Sequence, residues 1–387
     1  MVAPRSVYLH WPFCPYKCHF CPFVALASHD QYMEQYHTTL CKEIEQFGID
    51  WKSPLVLDTI FIGGGTPSTY PPGLLLDMFG TLRKVFSFNS FTEVTIEVNP
   101  GTVNQEKLEV WKTVGINRLS IGVQSLNDSV LKQLNRHQKA ASVFQLLESA
   151  ANLFDNISVD LILGLPGVSI EEWKMLLEKI VLWPIKHVSV YFLTVHEDTP
   201  LYFKIKSNRI TLPPDRHIID LYYWTIEYLI AHGFEQYELS NFAKQGYESR
   251  HNTVYWERKP YKAFGLGACS FDGTERFQNE KNIISYMEKI QKGSSAIIFK
   301  EKLTQEQIYL ERLMLGLRRK VGVIRKDFIQ SLSPHQYTLY EKIESMLWHE
   351  RLIVIENGRI ILTKKGLVVE NEVIAQIMRA IEQTEVH

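Results

Sequence analysis

Residues 7–21 read VYLHWPFCPYKCHFC, a short apolar run followed directly by three cysteines in C-x3-C-x2-C spacing. The apolar run is typical of a buried β-strand, which places Cys14, Cys18 and Cys21 in the loop after it. The chain has five cysteines, and this odd, sparse count argues against a disulfide framework. Thiols this close together therefore indicate a metal site or redox chemistry.

Two kinds of metal site are compatible with the three cysteines. Zinc is an alternative because His10 and His19 lie close by in sequence. Structural zinc sites usually add a second cysteine pair, however, whereas Cys41 and Cys269 are solitary. The better interpretation is an iron–sulfur cluster with three protein ligands, whose fourth iron is open to a substrate.

Composition narrows the class of protein. The chain has 387 residues, 45% of them hydrophobic and 22% charged, as expected for a globular protein. A formal net charge of −1 leaves no positive field for nucleic acid, so no nucleic-acid partner is expected. No apolar run reaches the length of a membrane span, and the N-terminus lacks the pattern of a secretory signal. We therefore expect a cytoplasmic protein that does not span a membrane.

Apolar β-branched runs alternate with helical patterns through the first half of the chain. The predicted strands are 7–9, 59–62, 94–98, 119–123, 158–163 and 188–195, and the predicted helices are 30–47, 73–86, 104–113, 128–153 and 170–183. Repeated strand–helix units are typical of an α/β fold with a parallel sheet.

Polar and glycine-rich segments follow several of these strands. They are Gly63-Gly64-Gly65-Thr66, Asn99-Pro100, Gln124-Ser125 and Gly164-Leu165-Pro166-Gly167. Because ligand sites of parallel sheets are built at the carboxyl ends of the strands, we predict that these segments share one site.

The alternation ends after Pro200. A long helix with apolar positions from 218 to 230 is predicted to end at Gly233, and a strand is predicted over 234–239. Thr304 and Gln307 have the spacing of a capping box. Asn357-Gly358 between two β-rich runs indicates a hairpin, so we predict a winged-helix-like region from about residue 300.

The cysteine run and the Gly63-Gly64-Gly65-Thr66 turn resemble the signatures of radical S-adenosylmethionine (SAM) proteins. The resemblance implies a partial (β/α)6 barrel with a 4Fe-4S cluster on Cys14, Cys18 and Cys21. The open iron of the cluster chelates SAM, and one electron cleaves it to methionine and a 5′-deoxyadenosyl radical. The residues that match SAM contacts of the family are Tyr8, Phe20, Gly64, Gly65, Thr66, Glu97, Gln124, Arg136 and Asp160.

Over residues 5–375 the chain resembles the oxygen-independent coproporphyrinogen III oxidases and their relatives. The oxidases carry a fourth cysteine two residues after the third, where this chain has Phe23. A second branch, the heme chaperones (HemW), carries a His-Asn-x-x-Tyr-Trp motif that matches His251 to Trp256. One departure is Cys269, which stands where that branch tends to have a histidine.

This resemblance implies a heme chaperone in which His251 holds heme. The heme is then passed to an apo-protein such as a respiratory cytochrome, with at most transient membrane contact. The implied division is a radical SAM core over 1–235, a family-specific segment over 236–300 and a winged-helix-like region over 301–387. The alternatives are a coproporphyrinogen III oxidase in porphyrin biosynthesis and a zinc-stabilised scaffold without SAM chemistry.

Overall fold

The computed structural model describes residues 3–51, 53–330 and 332–382, with side chains as far as residue 379. The strands of its main sheet are β1 (Ser6–Trp11), β2 (Thr59–Gly64), β3 (Glu93–Val98), β4 (Arg118–Gln124), β5 (Asn156–Leu163), β6 (His187–Phe192), β7 (Glu235–Gln236), β8 (Asn241–Ala243) and β9 (Lys262–Phe264). They lie in the order β7-β8-β6-β5-β4-β3-β2-β1-β9. Neighbours from β6 to β9 along this order are parallel, whereas β7 and β8 are antiparallel additions. The predicted α/β architecture with a parallel sheet is confirmed.

Helices alternate with the parallel strands in the first half of the chain, as expected from the sequence, and further helices follow. They are α1 (Met33–Gly48), α2 (Pro72–Val85), α3 (Gln105–Val114), α4 (Asp128–Gln133), α5 (Ala140–Ala151), α6 (Ile170–Ile180), α7 (Pro200–Lys206), α8 (Asp215–Ala231), α9 (Arg250–Trp256), α10 (Ile283–Gln291), α11 (Gln305–Leu317), α12 (Arg325–Ile329), α13 (Pro334–His349), α14 (Lys364–Val368) and α15 (Glu370–Glu382). The helix predicted to end at Gly233 corresponds to α8, and Gly233 adopts a φ of +81° just after it.

Three predicted element bounds are wrong. The single helix predicted over 128–153 is two helices, because Asn135 takes a left-handed φ of +58° and the chain turns between them. The strand predicted over 188–195 ends at Phe192. Of the strand predicted over 234–239, Glu235–Gln236 joins the main sheet, and Glu238 forms only an isolated bridge with Arg319.

The two faces of the main sheet differ in character. On β3, Val94, Ile96 and Val98 pack with the helices in the hydrophobic core. The alternate residues Thr95 and Glu97 point the other way, since successive strand side chains face opposite sides. The sheet therefore has an apolar face toward the helices and a polar inner face, on which the candidate site is built.

Six further strands are β10 (Cys269–Phe271), β11 (Glu275–Asn279), β12 (Ile297–Lys302), β13 (Val323–Ile324), β14 (Ile353–Glu356) and β15 (Arg359–Leu362). Two short parallel pairs lie outside these sheets, Phe13–Cys14 with Leu26–Ala27 and Leu55–Val56 with Phe86–Ser87. Strands β10, β11 and β12 form one antiparallel sheet, and β13, β15 and β14 form another.

The predicted hairpin is confirmed in β14 and β15. Asn357 and Gly358 both have positive φ, as this two-residue turn requires. The predicted capping box of Thr304 and Gln307 is present at the start of α11. Helices α11 to α15 and this small sheet enclose a hydrophobic cluster of their own, and the winged-helix-like character of this region stays a prediction. Within the described chain, no helix combines the length and apolar character that a bilayer crossing needs.

Candidate functional site

A cavity of about 410 Å³ opens at the carboxyl ends of the parallel strands, where the sequence predicts the site. Most of the predicted site residues line it: Cys14, Phe20, Cys18, Cys21, Gly64, Gly65, Thr66, Glu97, Gln124, Arg136 and Asp160. These residues therefore share one cavity, and their roles toward a cluster or SAM stay a prediction. Among the predicted residues, Tyr8 and His251 do not line the cavity, and the predicted strand-end segment over 164–167 does not line it either.

The three thiols lie in a loop that is fixed to the sheet at its start. Phe13–Cys14 pairs with Leu26–Ala27, and the Leu26 amide donates to the Pro12 carbonyl at 2.7 Å. Burial raises the pKa of the Cys14 thiol to about 11. A metal cluster would offset this cost, because a bound cation stabilises the thiolate form.

Two donors are directed at the thiols. Thr66 Oγ1 donates to Cys14 Sγ at 3.2 Å, and Arg136 Nη1 lies 3.8 Å from Cys18 Sγ. Hydrogen bonds to sulfur are a feature by which proteins tune iron–sulfur clusters. The thiol loop thus fits the predicted cluster by the number of thiols in one cavity and by their donor environment.

The glycine turn after β2 packs closely against the start of the thiol loop. Gly64 has a φ of +117°, a conformation that favours glycine. A Cβ atom on Gly65 would lie 2.4 Å from the Pro12 carbonyl oxygen. The Gly65 amide donates to the Trp11 carbonyl at 2.8 Å. Glycine is needed here because the two backbones approach each other closely.

Two buried carboxyl groups face the cavity. Glu97 Oε2 accepts a hydrogen bond from the Gly64 amide at 3.0 Å, and Asp160 Oδ2 accepts one from Ser120 Oγ at 3.0 Å. Burial, together with the nearby Asp160, raises the pKa of Glu97 to about 8, and burial also raises the pKa of Asp160. Neither carboxylate has an ion-pair partner within the described residues. A cationic ligand in the cavity would supply the missing charge.

Gln124 contributes an acceptor without a partner. It sits at an irregularity in the β4–β5 pairing with a φ of +64°. Its Oε1 atom is buried and accepts no hydrogen bond from any described residue. Buried polar atoms are normally paired, so an unpaired acceptor on a cavity wall indicates a ligand that donates. The two carboxyl groups and this acceptor suit a cationic ligand with amino and hydroxyl donors, as SAM is.

Tyr8 lies below the cavity on the inner face of the sheet. Its hydroxyl is 3.1 Å from His10 Nδ1, and its ring stacks on Phe61 with centroids 6.1 Å apart. A role of Tyr8 toward SAM stays a prediction.

His251 is fully buried on α9, and its ring stacks on Phe61 with centroids 5.1 Å apart. Its Nδ1 atom lies 2.7 Å from Thr59 Oγ1, and its Nε2 atom lies 2.8 Å from the Tyr255 hydroxyl. Burial lowers the pKa of His251 to about 3. In this conformation both ring nitrogens are engaged, so ligation of an iron atom would require one of these hydrogen bonds to break.

The cavity also contains residues that the sequence prediction missed. Tyr16 lies between the cysteines, and its hydroxyl accepts a hydrogen bond from Asn99 Nδ2 at 2.8 Å. Tyr191, near the end of β6, and His196 line the opposite side. Their positions at strand ends and in the cysteine run were the available signals, but neither residue type alone indicates a ligand contact.

Comparison with known proteins places these features in a family. The sequence profile described as "Radical SAM superfamily" matches residues 8–180. The chain is 35% identical to a protein named "Heme chaperone HemW" from Bacillus subtilis, over 95% of this chain and 98% of that protein. It is 30% identical to the Lactococcus lactis protein of the same name, over 97% of each chain.

A solved structure shares the fold. It is the structure entitled "Coproporphyrinogen III oxidase (HemN) from Escherichia coli is a Radical SAM enzyme". The TM-score is 0.83 at 23% sequence identity, over 98% of this chain and 90% of that chain. At this identity the likeness establishes the fold alone.

Proposed function

We propose, from the premise that this chain belongs to the radical SAM superfamily and to its heme chaperone (HemW) family, that it binds heme and passes it to an apo-protein. The observation that carries the proposal is the similarity to the Bacillus subtilis HemW protein over nearly the full length of both chains. This membership implies a 4Fe-4S cluster and SAM as cofactors. It also sets aside the zinc-scaffold alternative.

In this proposal, residues of the cavity hold the cluster and SAM. Cys14, Cys18 and Cys21 would hold the cluster, which when reduced supplies an electron to bound SAM. Glu97 and Gln124 would accept hydrogen bonds from SAM. Arg136 would keep its position through its bond to Gln138 Oε1 at 2.9 Å, and so remain beside the Cys18 sulfur.

Phe23 supports the chaperone over the oxidase. It stands where the oxidases carry a fourth cysteine, lines the mouth of the cavity and is 64% exposed. An exposed phenylalanine at the mouth supplies no thiol for chemistry with a porphyrinogen. The similarity to the Escherichia coli oxidase establishes only a common fold. Oxidase activity is therefore the second candidate function for this chain.

The proposed acceptor of heme is an apo-protein such as a respiratory cytochrome. A carrier of this kind must hold heme without chemical change and release it to a protein with stronger iron ligands. A requirement for SAM in the transfer step would indicate that the cavity regulates release.

The test is an anaerobic reaction of the reconstituted protein with SAM, a reductant and coproporphyrinogen III, followed by a heme-transfer assay. We expect 5′-deoxyadenosine without protoporphyrinogen IX in the first reaction. In the second, heme-loaded protein should convert an apo-cytochrome to its holo form, measured by absorbance. Accumulation of protoporphyrinogen with turnover would establish the oxidase instead.

Variants of the motif test the role proposed for His251. If Nε2 is the heme ligand, Tyr255→Phe frees it and should raise heme affinity, whereas His251→Ala should lower affinity and leave the cluster absorbance intact. Heme affinity equal to wild type in His251→Ala would remove His251 from the proposal without affecting heme carriage itself.

A further inference from the structure

A second cavity lies at the opposite end of the sheet from the thiols. Its volume is about 520 Å³, and its walls include the C-terminal end of α1, the start of β9 and the sheet of β10 to β12. Pro4, just before β1, also lines it, which places it at the amino ends of the strands. It shares no lining residue with the SAM cavity among those described. We call it the amino-end cleft.

Aromatic side chains form much of the amino-end cleft. They are Phe47 and Trp51 from the end of α1, Tyr261 beside β9, and Phe271 and Phe277 from the small sheet. The cleft volume is within the range of about 300–1,000 Å³ that small-molecule and cofactor sites occupy. Aromatic walls of this kind suit a flat apolar ligand that can stack on them.

A lysine in the cleft has no direct ion-pair partner among the described residues. Lys262 lines the cleft, and its ammonium lies 5.5 Å from the ring centroid of Phe47 and 4.9 Å from that of Phe264. Burial lowers the pKa of Lys262. No described residue forms a hydrogen bond or an ion pair with its Nζ atom.

The acid nearest to this lysine is already engaged. Glu43 also lines the cleft, but its carboxylate accepts hydrogen bonds from the Gly265 amide at 2.8 Å and from the Tyr286 hydroxyl at 2.7 Å. These partners are neutral donors, and Glu43 still raises the pKa of Lys262 through its charge, but it makes no direct contact with the ammonium. An anionic ligand group would supply that direct partner.

An unpaired donor lies in the same cleft. The Nε1 atom of Trp51 is buried and finds no acceptor within the described residues. A ligand carboxylate in the cleft could pair with Lys262. The lining also includes the acids Glu43, Asp50 and Asp272, so the anionic group of a ligand has one cation to pair with. The aromatic walls together with this lysine fit a planar apolar molecule that carries a carboxylate.

The cleft is connected to the His-Asn-x-x-Tyr-Trp motif. The Tyr261 ring contacts the Tyr255 ring edge to face at 4.8 Å, and Tyr255 is hydrogen-bonded to His251. The motif thus supports one wall of the cleft from behind. This arrangement gives the motif an influence on a ligand in the cleft even while both nitrogens of His251 are engaged.

We propose that the amino-end cleft is the carrying site for heme, with the macrocycle stacked on its aromatic walls and a propionate paired with Lys262. This inference rests on the proposed function, because the identity of the cargo comes from it. Heme in this position is separated by the sheet from the SAM cavity. The radical chemistry and the cargo would then occupy opposite ends of the molecule.

The test is a heme titration of the full-length reconstituted protein, followed by absorbance. Lys262→Met removes the charge and keeps the length of the side chain, whereas Ser294→Trp adds a large ring at an exposed position of the cleft rim. Lys281→Met is the matched control, because Lys281 is exposed and lines neither cavity. Cluster absorbance and the thermal unfolding midpoint verify that each variant is folded.

We expect both cleft variants to bind heme about 10-fold more weakly, a change of about 1.4 kcal/mol, and the control to match wild type. If wild type binds heme and either folded cleft variant retains wild-type affinity, the cleft is not the carrying site and the proposed function stands. If wild type binds no heme, the proposed function fails and this inference fails with it.

Discussion

At the scale of single residues, the SAM cavity is defined by side chains whose ionisation is unfavourable without a ligand. Glu97 and Cys14 both have raised pKa values, chiefly because they are buried. Gln124 keeps an acceptor unpaired in the same cavity. Carboxyl and thiol groups with shifted pKa values that lie in one cavity are typical of functional sites. A bound ligand can supply the charges and hydrogen bonds that these groups lack in the protein alone.

Replacement of one thiol tests the cluster assignment. Cys18→Ala should abolish the cluster, since two cysteines leave a second iron without a protein ligand. Iron and sulfide analysis after anaerobic reconstitution measures the result. Cys269→Ser is the control, because Cys269 is exposed and lies outside the cavity. About four irons per chain in Cys18→Ala would contradict the assignment.

At the scale of elements, the turn after β2 holds the thiol loop in place. Gly65 and Thr66 donate backbone hydrogen bonds to the Trp11 and Phe13 carbonyls, at 2.8 and 2.9 Å. The end of β2 and the start of the thiol loop therefore move as one unit. The same turn donates the Gly64 amide to Glu97, so the cluster loop and the SAM residues are joined through it.

A methyl group on Gly65 should disturb this unit. Gly65→Ala places Cβ 2.4 Å from the Pro12 carbonyl oxygen, so the backbone of the thiol loop must shift. We expect iron content below wild type and SAM affinity at least about 10-fold weaker, measured by iron analysis and equilibrium binding. In α2, Gly73→Ala meets no atom within 4 Å and should raise the unfolding free energy by about 0.5–1 kcal/mol. Wild-type iron and SAM binding in Gly65→Ala would show that the close approach is unimportant.

At the scale of the whole molecule, the C-terminal region docks on the segment that leads into β8. The Leu239 amide donates to the Arg318 carbonyl at 2.9 Å, and the Lys320 amide donates to the Tyr237 carbonyl at 3.0 Å. Glu238 is buried at this junction, and its Oε2 atom has no hydrogen-bond partner among the described residues. Burial raises the pKa of Glu238 to about 7.

The junction should make stability depend on pH. Because the folded pKa of Glu238 is raised, the native state binds more protons than the unfolded state between pH 4.5 and about 7. Its contribution to stability is therefore present below pH 4.5 and is lost as pH rises to about 7. Glu238→Gln removes this titration. Between pH 5 and pH 8, the unfolding free energy should therefore fall by about 2 kcal/mol less in the variant than in wild type. Denaturant unfolding at both pH values measures this, and parallel losses in the two proteins would contradict it.

Much of the fold was predictable because its signals are local. Each parallel strand has its own apolar run, and the Asn357-Gly358 turn and the Thr304 capping box are set by neighbouring residues. The helix predicted over 128–153 is wrong because the five polar residues 135–139 interrupt its apolar pattern, and Asn135 takes a left-handed φ there. Arg136 is instead turned toward the sheet, where Nη2 donates to the Gly122 carbonyl. That contact is tertiary, and the periodicity of the segment carries no sign of it.

The sequence by itself determined the three thiols, the glycine turn and the strand-end residues of the SAM cavity. Covalent spacing and the parallel arrangement of the strands bring these groups to one end of the sheet, whatever the rest of the chain does. Only the tertiary structure decided that His251 is engaged by Thr59, 192 residues away, and that Lys262 and Trp51 share a cleft. A hydrogen-bond partner or a cavity wall contributed by a distant element depends on packing, which leaves no periodic or spacing signal in the sequence.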